Sequence, residues 1–264
     1  MKLLSFVAIK GGVGKTTLAL LTGQYLAHKG NKVLFIDLDH QCNLTHFYDI
    51  YENTGTVINI FTGQGDVTIL PVSENIDIIP GSMRLDEAER QLETNSNKNM
   101  FLYDWLGTHL EDKNLEQYDY IILDCRPDFG IATRNAIAVS HLLFSPIIPS
   151  DFAFEAKENL DIRLEDYRKD EIIRPSRESL ITAKLFFIPN MIKHNTSKSK
   201  ELLLALQEDP TVIAPIPQKE LFNRVTKDLT IIDMISNPSF NQHKAFFLDL
   251  TKTLEIMQQT IDEI

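Results

Sequence analysis

The sequence predicts an α/β fold in one domain, a mostly parallel β-sheet covered by helices on both faces. Two observations lead there. Strand-like apolar runs alternate with helix-periodic segments along the whole chain, a pattern that pairs successive strands in parallel through crossover helices. The strand runs are also apolar at consecutive positions, as strands buried on both faces are. A glycine-rich turn between the first strand and first helix completes the beginning of such a unit.

The elements follow in order. Residues 3–9 read as a strand and 16–29 as a helix, which Gly30 is suited to cap. Residues 33–37 form a second strand, and 76–79 a third before Pro80-Gly81. Helices are expected over 86–93 and 100–110, with a polar loop at 93–99. A strong strand at 118–124, a helix at 131–140 and a strand at 142–148 come next, then a helix at 152–170. A strand at 181–189, a helix at 199–208 and a last strand at 212–216 follow. Phe247, Leu250, Leu254, Met257 and Ile261, spaced by threes and fours, put one apolar stripe on a C-terminal helix. No linker divides the chain, so residues 1–264 are read as one domain, with no separate N-terminal DNA-reading unit ahead of Lys10.

Composition narrows the function classes. The 264 residues carry 26 Lys and Arg against 37 Asp and Glu, a net charge of −11. With 43% hydrophobic and 24% charged residues, the chain is neither a disordered tail, a collagen nor a disulfide scaffold. The acidic balance excludes a histone-like basic coat but leaves room for a local basic patch. No apolar run reaches 18 residues, so no transmembrane helix is expected. The short apolar start lacks a small-residue cleavage site and runs into Lys10-Gly11-Gly12. Cys42 and Cys125 form no CxxC pair, which suits a reduced, cytoplasmic protein.

The chemistry concentrates in Lys10-Gly11-Gly12-Val13-Gly14-Lys15-Thr16-Thr17. Glycines let the backbone turn sharply and aim its N–H groups at phosphate oxygens, and the following helix presents its positive end to them. Lys15 is placed to reach the β- and γ-phosphates, and Thr16 to ligate Mg²⁺. Ile9 stands where the strict phosphate-loop pattern has glycine. The stretch instead resembles the deviant Walker A motif of the ParA/MinD ATPases, a deviant P-loop NTPase group. The resemblance implies that Lys10 crosses a dimer interface to the partner's nucleotide.

Two further segments carry the same resemblance. Asp37-Leu38-Asp39-His40-Gln41-Cys42-Asn43 is similar to the family's Asp-x-Asp-Pro-Gln-Gly-Asn, with His40 and Cys42 in place of Pro and Gly. It implies that Asp39 orients the attacking water while Asp37 supports the metal and switch region. The strand ending in Asp124 resembles the Walker B segment, which implies that Asp124 reaches the Mg²⁺ shell, both aspartates acting through water. Arg126 and Asp128 depart from the family's usual residues. Arg126 is placed to touch a phosphate, pair with Asp128 or contact a partner. Ala156 stands where glycine is usual, and Asn190 and Pro217 fall where the family contacts adenine.

The resemblance implies an ATPase that uses ATP and Mg²⁺ and partitions low-copy DNA. An ATP-dependent homodimer would bind DNA without sequence preference, and a ParB-like centromere-binding partner would stimulate hydrolysis; such a protein is cytoplasmic and nucleoid-associated when ATP-bound. Lys193, Lys198, Lys200 and Arg224 are the DNA-contact candidates, beside Arg174, Arg177 and Lys227. A MinD-like membrane-positioning ATPase is the alternative, but the C-terminal helix has a net negative polar face that anionic lipid repels. The two cysteines fall beside the nucleotide motifs rather than where an iron–sulfur cluster on a dimer axis needs them.

Overall fold

A computed structural model describes residues 1–150, 152–173 and 175–264. Seven strands form one sheet: β1 (Lys2–Phe6), β2 (Val33–Leu38), β3 (Leu70–Ser73), β4 (Ile76–Ile79), β5 (Tyr120–Cys125), β6 (Leu142–Ile147) and β7 (Lys184–Pro189). Their order is β3-β4-β2-β5-β1-β6-β7, and every pairing is parallel except β3 with β4. The expected fold class holds.

Each inner strand is apolar on both faces and feeds two cores. In β2, Leu34, Ile36 and Leu38 pack on one side and Val33 and Phe35 on the other. The first side is covered by α3 (Ile58–Thr62), α4 (Leu85–Leu92), α5 (Phe101–Thr108), α6 (Ile131–Val139) and α7 (Ala153–Asp170), with Leu202 of α8 (Ser197–Ala205). The second is covered by α1 (Lys15–His28), α9 (Ile231–Ser236) and α10 (Lys244–Asp262), with Leu44 of α2 (Asn43–Phe47). The α10 stripe of Phe247, Leu250, Leu254, Met257 and Ile261 is buried in that core, as its spacing predicts.

Three expectations need correction. The first strand ends at Phe6: Val7 N–H still donates to Phe144 O at 2.9 Å, but the chain bends from Ile9 into the glycine loop. In residues 212–216 the Ile213 and Ile216 N–H groups donate to the Phe187 and Pro189 carbonyls, yet the segment forms only isolated bridges. Pro215 and Pro217 lack the donors that a regular ladder requires. Residues 70–73, read as no element, form β3: a short edge strand with Pro71, which an edge tolerates.

Candidate functional site

Register places the acids. Asp37 at the end of β2 lies opposite Asp124 on β5, and Asp124 is opposite Phe6, after which β1 runs into the glycine loop. Three parallel strands thus deliver their carboxyl ends to one place, where open α/β sheets bind ligands.

The loop turns through left-handed Gly12 (φ 71°) and Gly14 (φ 92°). A methyl group at Gly14 would lie 2.5 Å from Asn190 Nδ2. Helix α1 starts at Lys15 with no side-chain cap and no acid in its first turn, which leaves its N-terminal N–H groups for an anion. Lys15 is 7% exposed, and among the described residues no carboxylate pairs with it. Asp124 is near enough to feel the Lys15 charge without forming a direct ion pair with it, so the ammonium remains available for an anion at the loop.

Asp37 is fully buried. Its Oδ2 accepts the Thr45 hydroxyl at 2.6 Å and the Thr45 N–H at 3.0 Å, and its Oδ1 accepts the Asp39 N–H at 3.1 Å. Burial pushes the carboxyl up to about 6, with the Thr45 hydrogen bonds pulling the other way. Thr45 Oγ1 also accepts the Gly81 N–H at 2.8 Å, and a Cβ on Gly81 would approach Asp37 Cγ to 2.9 Å. Asp39 is 6% exposed, accepts the Gln41 N–H at 3.0 Å and lies 3.6 Å from His40 Nδ1. Cys42, where the family has glycine, takes a left-handed φ of 53°.

Asp124 is the most demanding group. It is completely buried and neither oxygen has a hydrogen-bond partner of good geometry. Burial and the Asp37 charge push its carboxyl well up, and Thr16 and Lys15 beside it pull down. Burial also raises both thiols, Cys42 to about 12, so neither cysteine has the low-pKa environment of a metal-binding thiolate.

Lys10 does not fold into its own loop. Its Nζ donates to Ser150 Oγ at 3.4 Å and sits 5.9 Å from the Phe152 ring centroid. Beside the loop lies a cleft of about 360 Å³ lined by Gly14, Thr17, Asn190, Met191, Pro217 and Phe222, among others. Asn190 Nδ2 donates to Val13 O at 2.8 Å, so it braces the phosphate loop as well as walling the cleft. Lys193 lines the same cleft, apart from the exposed Lys198 and Lys200 on α8. Arg224 is exposed at the end of the 3₁₀ segment Glu220–Arg224, and Lys227 pairs with Asp49 at 2.8 Å. Arg174 lies outside the described residues.

Of the three roles open to Arg126, the structure realises the ion pair with Asp128 and adds one with Glu89. Thr45 and Glu89 also shape the site, and neither is among the sequence candidates. Thr45 carries a signal, since it follows the acidic motif by a helical turn; Glu89 carries none.

A family model described as an AAA domain matches residues 1–176. The chain belongs to this family, in its ParA/Soj branch. It is 35% identical over 158 residues to the chromosome-partitioning ATPase Soj of Treponema pallidum, covering 58% of this chain and 60% of that one. Likeness of fold extends further than that alignment. A putative plasmid partition protein of Borrelia burgdorferi bound to AMPPNP superposes with a TM-score of 0.74 at 23% identity, over 95% of this chain and 98% of that one. McdA of Cyanothece in complex with ATP superposes with a TM-score of 0.78 at 21% identity, over 97% of each chain. Among the described residues no helix is long and apolar enough to cross a membrane.

Proposed function

We propose that this ParA/Soj-family chain is a Mg²⁺-dependent ATPase that partitions low-copy DNA, plasmid or chromosomal, as an ATP-closed homodimer. The observation that carries the proposal is the gathering of buried Asp37, Asp39 and Asp124 beside a glycine loop whose buried Lys15 lies near Asp124. Nucleotide phosphates would give Lys15 the direct ion partner that nearby Asp124 does not provide. The backbone of residues 11–17 and the free end of α1 hold them, and Asn190 and Pro217 wall the cleft that receives the base.

Magnesium fits the donor set. Among the described residues no three His, Cys, Asp or Glu side chains form a metal cage. Mg²⁺ needs none, since it keeps waters and binds through one or two carboxylates plus substrate phosphates. Asp124, with both oxygens unsatisfied, and Thr16 would hold it, with Asp37 behind through water. When bound, the ion neutralises phosphate charge during transfer. Asp39, tethered through its own N–H to Asp37, orients the attacking water. Lys10, directed away from its own loop, reaches the partner's nucleotide, adding positive charge as the transition state forms.

DNA affinity in an acidic chain must come from a few residues on one face. Lys193, Lys198, Lys200 and Arg224 are all exposed candidates, and Lys193 also lines the nucleotide cleft. A ParB-like centromere-binding protein is the partner that would trigger hydrolysis and release. The membrane reading is weaker, because the apolar stripe of α10 is spent in the core.

Co-sedimentation with DNA and with phosphatidylglycerol vesicles, each in ATP, ADP or no nucleotide, tests the proposal. ATP-dependent pelleting with DNA alone is expected. Equal DNA pelleting without nucleotide, or pelleting with vesicles, would overturn it.

A further inference from the structure

Arg126 immediately follows the strand that ends in Asp124 and Cys125, and its side chain is turned away from the phosphate loop into a carboxylate pair. Glu89 of α4, 7% exposed, accepts from Arg126 Nη1 with one oxygen. With the other it accepts the Ala132 N–H at 2.7 Å. Ala132 is in the first turn of α6, where N–H groups have no intrahelical acceptor, so Glu89 also caps a helix end of favourable polarity. Pro127, the next residue, lies on the other side: a Cβ on Gly11 would sit 3.8 Å from its Cγ. Two adjacent residues thus contact α4 and the phosphate loop respectively.

The other end of α4 is tied to the second acidic loop. Leu85 N–H donates to Ser82 O at 3.0 Å, and Gly81 N–H donates to Thr45, whose hydroxyl holds Asp37. Helix α4 is therefore bonded to the loop after Asp124 through Glu89, and joined to the Asp37 loop by the short chain segment from Gly81, whose N–H bonds Thr45. The Glu89 bonds to Arg126 and Ala132 are charge-assisted, hence shorter and stronger than neutral ones, and breaking one partner of the ion pair leaves the other charge buried.

We infer that Arg126 is a positioning residue whose pairing with Glu89 makes the two acidic loops and helix α4 respond to nucleotide as one unit. The inference rests on the nucleotide-binding reading above. It gives the arginine, at a position where the family commonly has proline, a specific role in fixing the Asp124 loop rather than touching phosphate.

Glu89→Gln separates this role from simple capping, since glutamine keeps an oxygen for Ala132 N–H but removes the charge facing Arg126. Steady-state ATP hydrolysis is compared for the wild type, Glu89→Gln, Arg126→Ala and the double variant. Hydrogen exchange is followed on α4 and the phosphate loop with AMPPNP and Mg²⁺. Each single variant should lower kcat about tenfold with KM within twofold, because a charge-assisted bond of this class is the one lost. The double variant should be no slower than Arg126→Ala, as expected for two halves of one interaction. AMPPNP should slow exchange in both segments of the wild type but only in the phosphate loop of Glu89→Gln. A Glu89→Gln variant with wild-type kcat, losses that multiply in the double variant, or α4 protection retained in Glu89→Gln would overturn the coupling alone. A wild-type phosphate loop that AMPPNP leaves unprotected would overturn the nucleotide-binding reading and the coupling together.

Discussion

Replacing Thr45 by valine keeps the branched shape of the side chain and removes one oxygen. That oxygen makes two buried bonds: it donates to Asp37 Oδ2 at 2.6 Å and accepts from Gly81 N at 2.8 Å. Orphaning the Gly81 N–H costs about 1–3 kcal/mol, and losing a bond to a charged carboxylate about 1.5–3 kcal/mol. A loss of about 4 kcal/mol follows, a large part of the 5–15 kcal/mol that typically separates folded from unfolded states. The melting temperature should fall by roughly 8–16 °C. The Thr45 bonds also hold the Asp37 carboxyl down against burial, so Asp37 in the valine variant is protonated more readily. The deficit should therefore shrink at pH 5, where the carboxyl is already neutral in both proteins. Thermal unfolding of nucleotide-free protein at pH 8 and pH 5 measures both effects. A deficit below about 1 kcal/mol at pH 8 would refute the hydrogen-bond accounting, on the scale of an ordinary net bond. An equal deficit at both pH values would refute the part assigned to Asp37.

Lys10→Ala should leave nucleotide affinity within about threefold of wild type, since Lys10 is bonded to Ser150 rather than to its own loop. It should abolish the rise of specific ATPase rate with protein concentration, and a retained concentration dependence would remove the crossing role. Gly14→Ala meets both a φ of 92° and Asn190 Nδ2 at 2.5 Å, so isothermal titration should find nucleotide binding weakened at least tenfold. Reversing Lys198, Lys200 and Arg224 to Glu should remove ATP-dependent DNA mobility shifts at low salt while nucleotide affinity stays unchanged.

Continuous apolar runs made the inner strands legible because both faces of the sheet are buried; Leu34, Ile36, Val33 and Phe35 show why no alternation was needed. The glycine loop and Asp37, Asp39 and Asp124 stood out in the sequence because a phosphate site would restrict residue type and spacing in this way, and the strand register does set Asp37 beside Asp124. Elements without such a constraint were not legible: β3 contains Pro71, and α2, α3 and α9 are five or six residues long, too short to show a helical period. The Glu89–Arg126 pair was illegible for a different reason. It joins positions 37 residues apart, and only the packing of α4 against the Asp124 loop brings them together. Lys193 looked like part of a basic run with Lys198 and Lys200, but the chain turns between them at residues 194–195, and Lys193 lines the cleft wall.

The acidic site has a stability consequence that a cation should reverse. Asp37 is raised to about 6 in the folded protein from 3.8. A carboxyl raised on folding contributes stability that is fully present below its unfolded pKa and is lost as pH rises through the folded value. The nucleotide-free protein therefore gains about 1.4 kcal/mol from Asp37 between pH 8 and pH 5, or roughly 3–6 °C. Asp124, pushed upward by burial and by Asp37, adds in the same direction. On the proposed reading Mg²⁺ would bind the ionised carboxylates and oppose this protonation, so its binding should weaken as pH falls. With saturating ADP, the additional melting-temperature increase from Mg²⁺ over EDTA should be larger at pH 8 than at pH 5. Asp37→Asn should flatten part of that difference. An increment from Mg²⁺ that is the same at both pH values would mean that the buried aspartates do not face the metal, and the placement of Asp37 and Asp124 in its shell would be wrong.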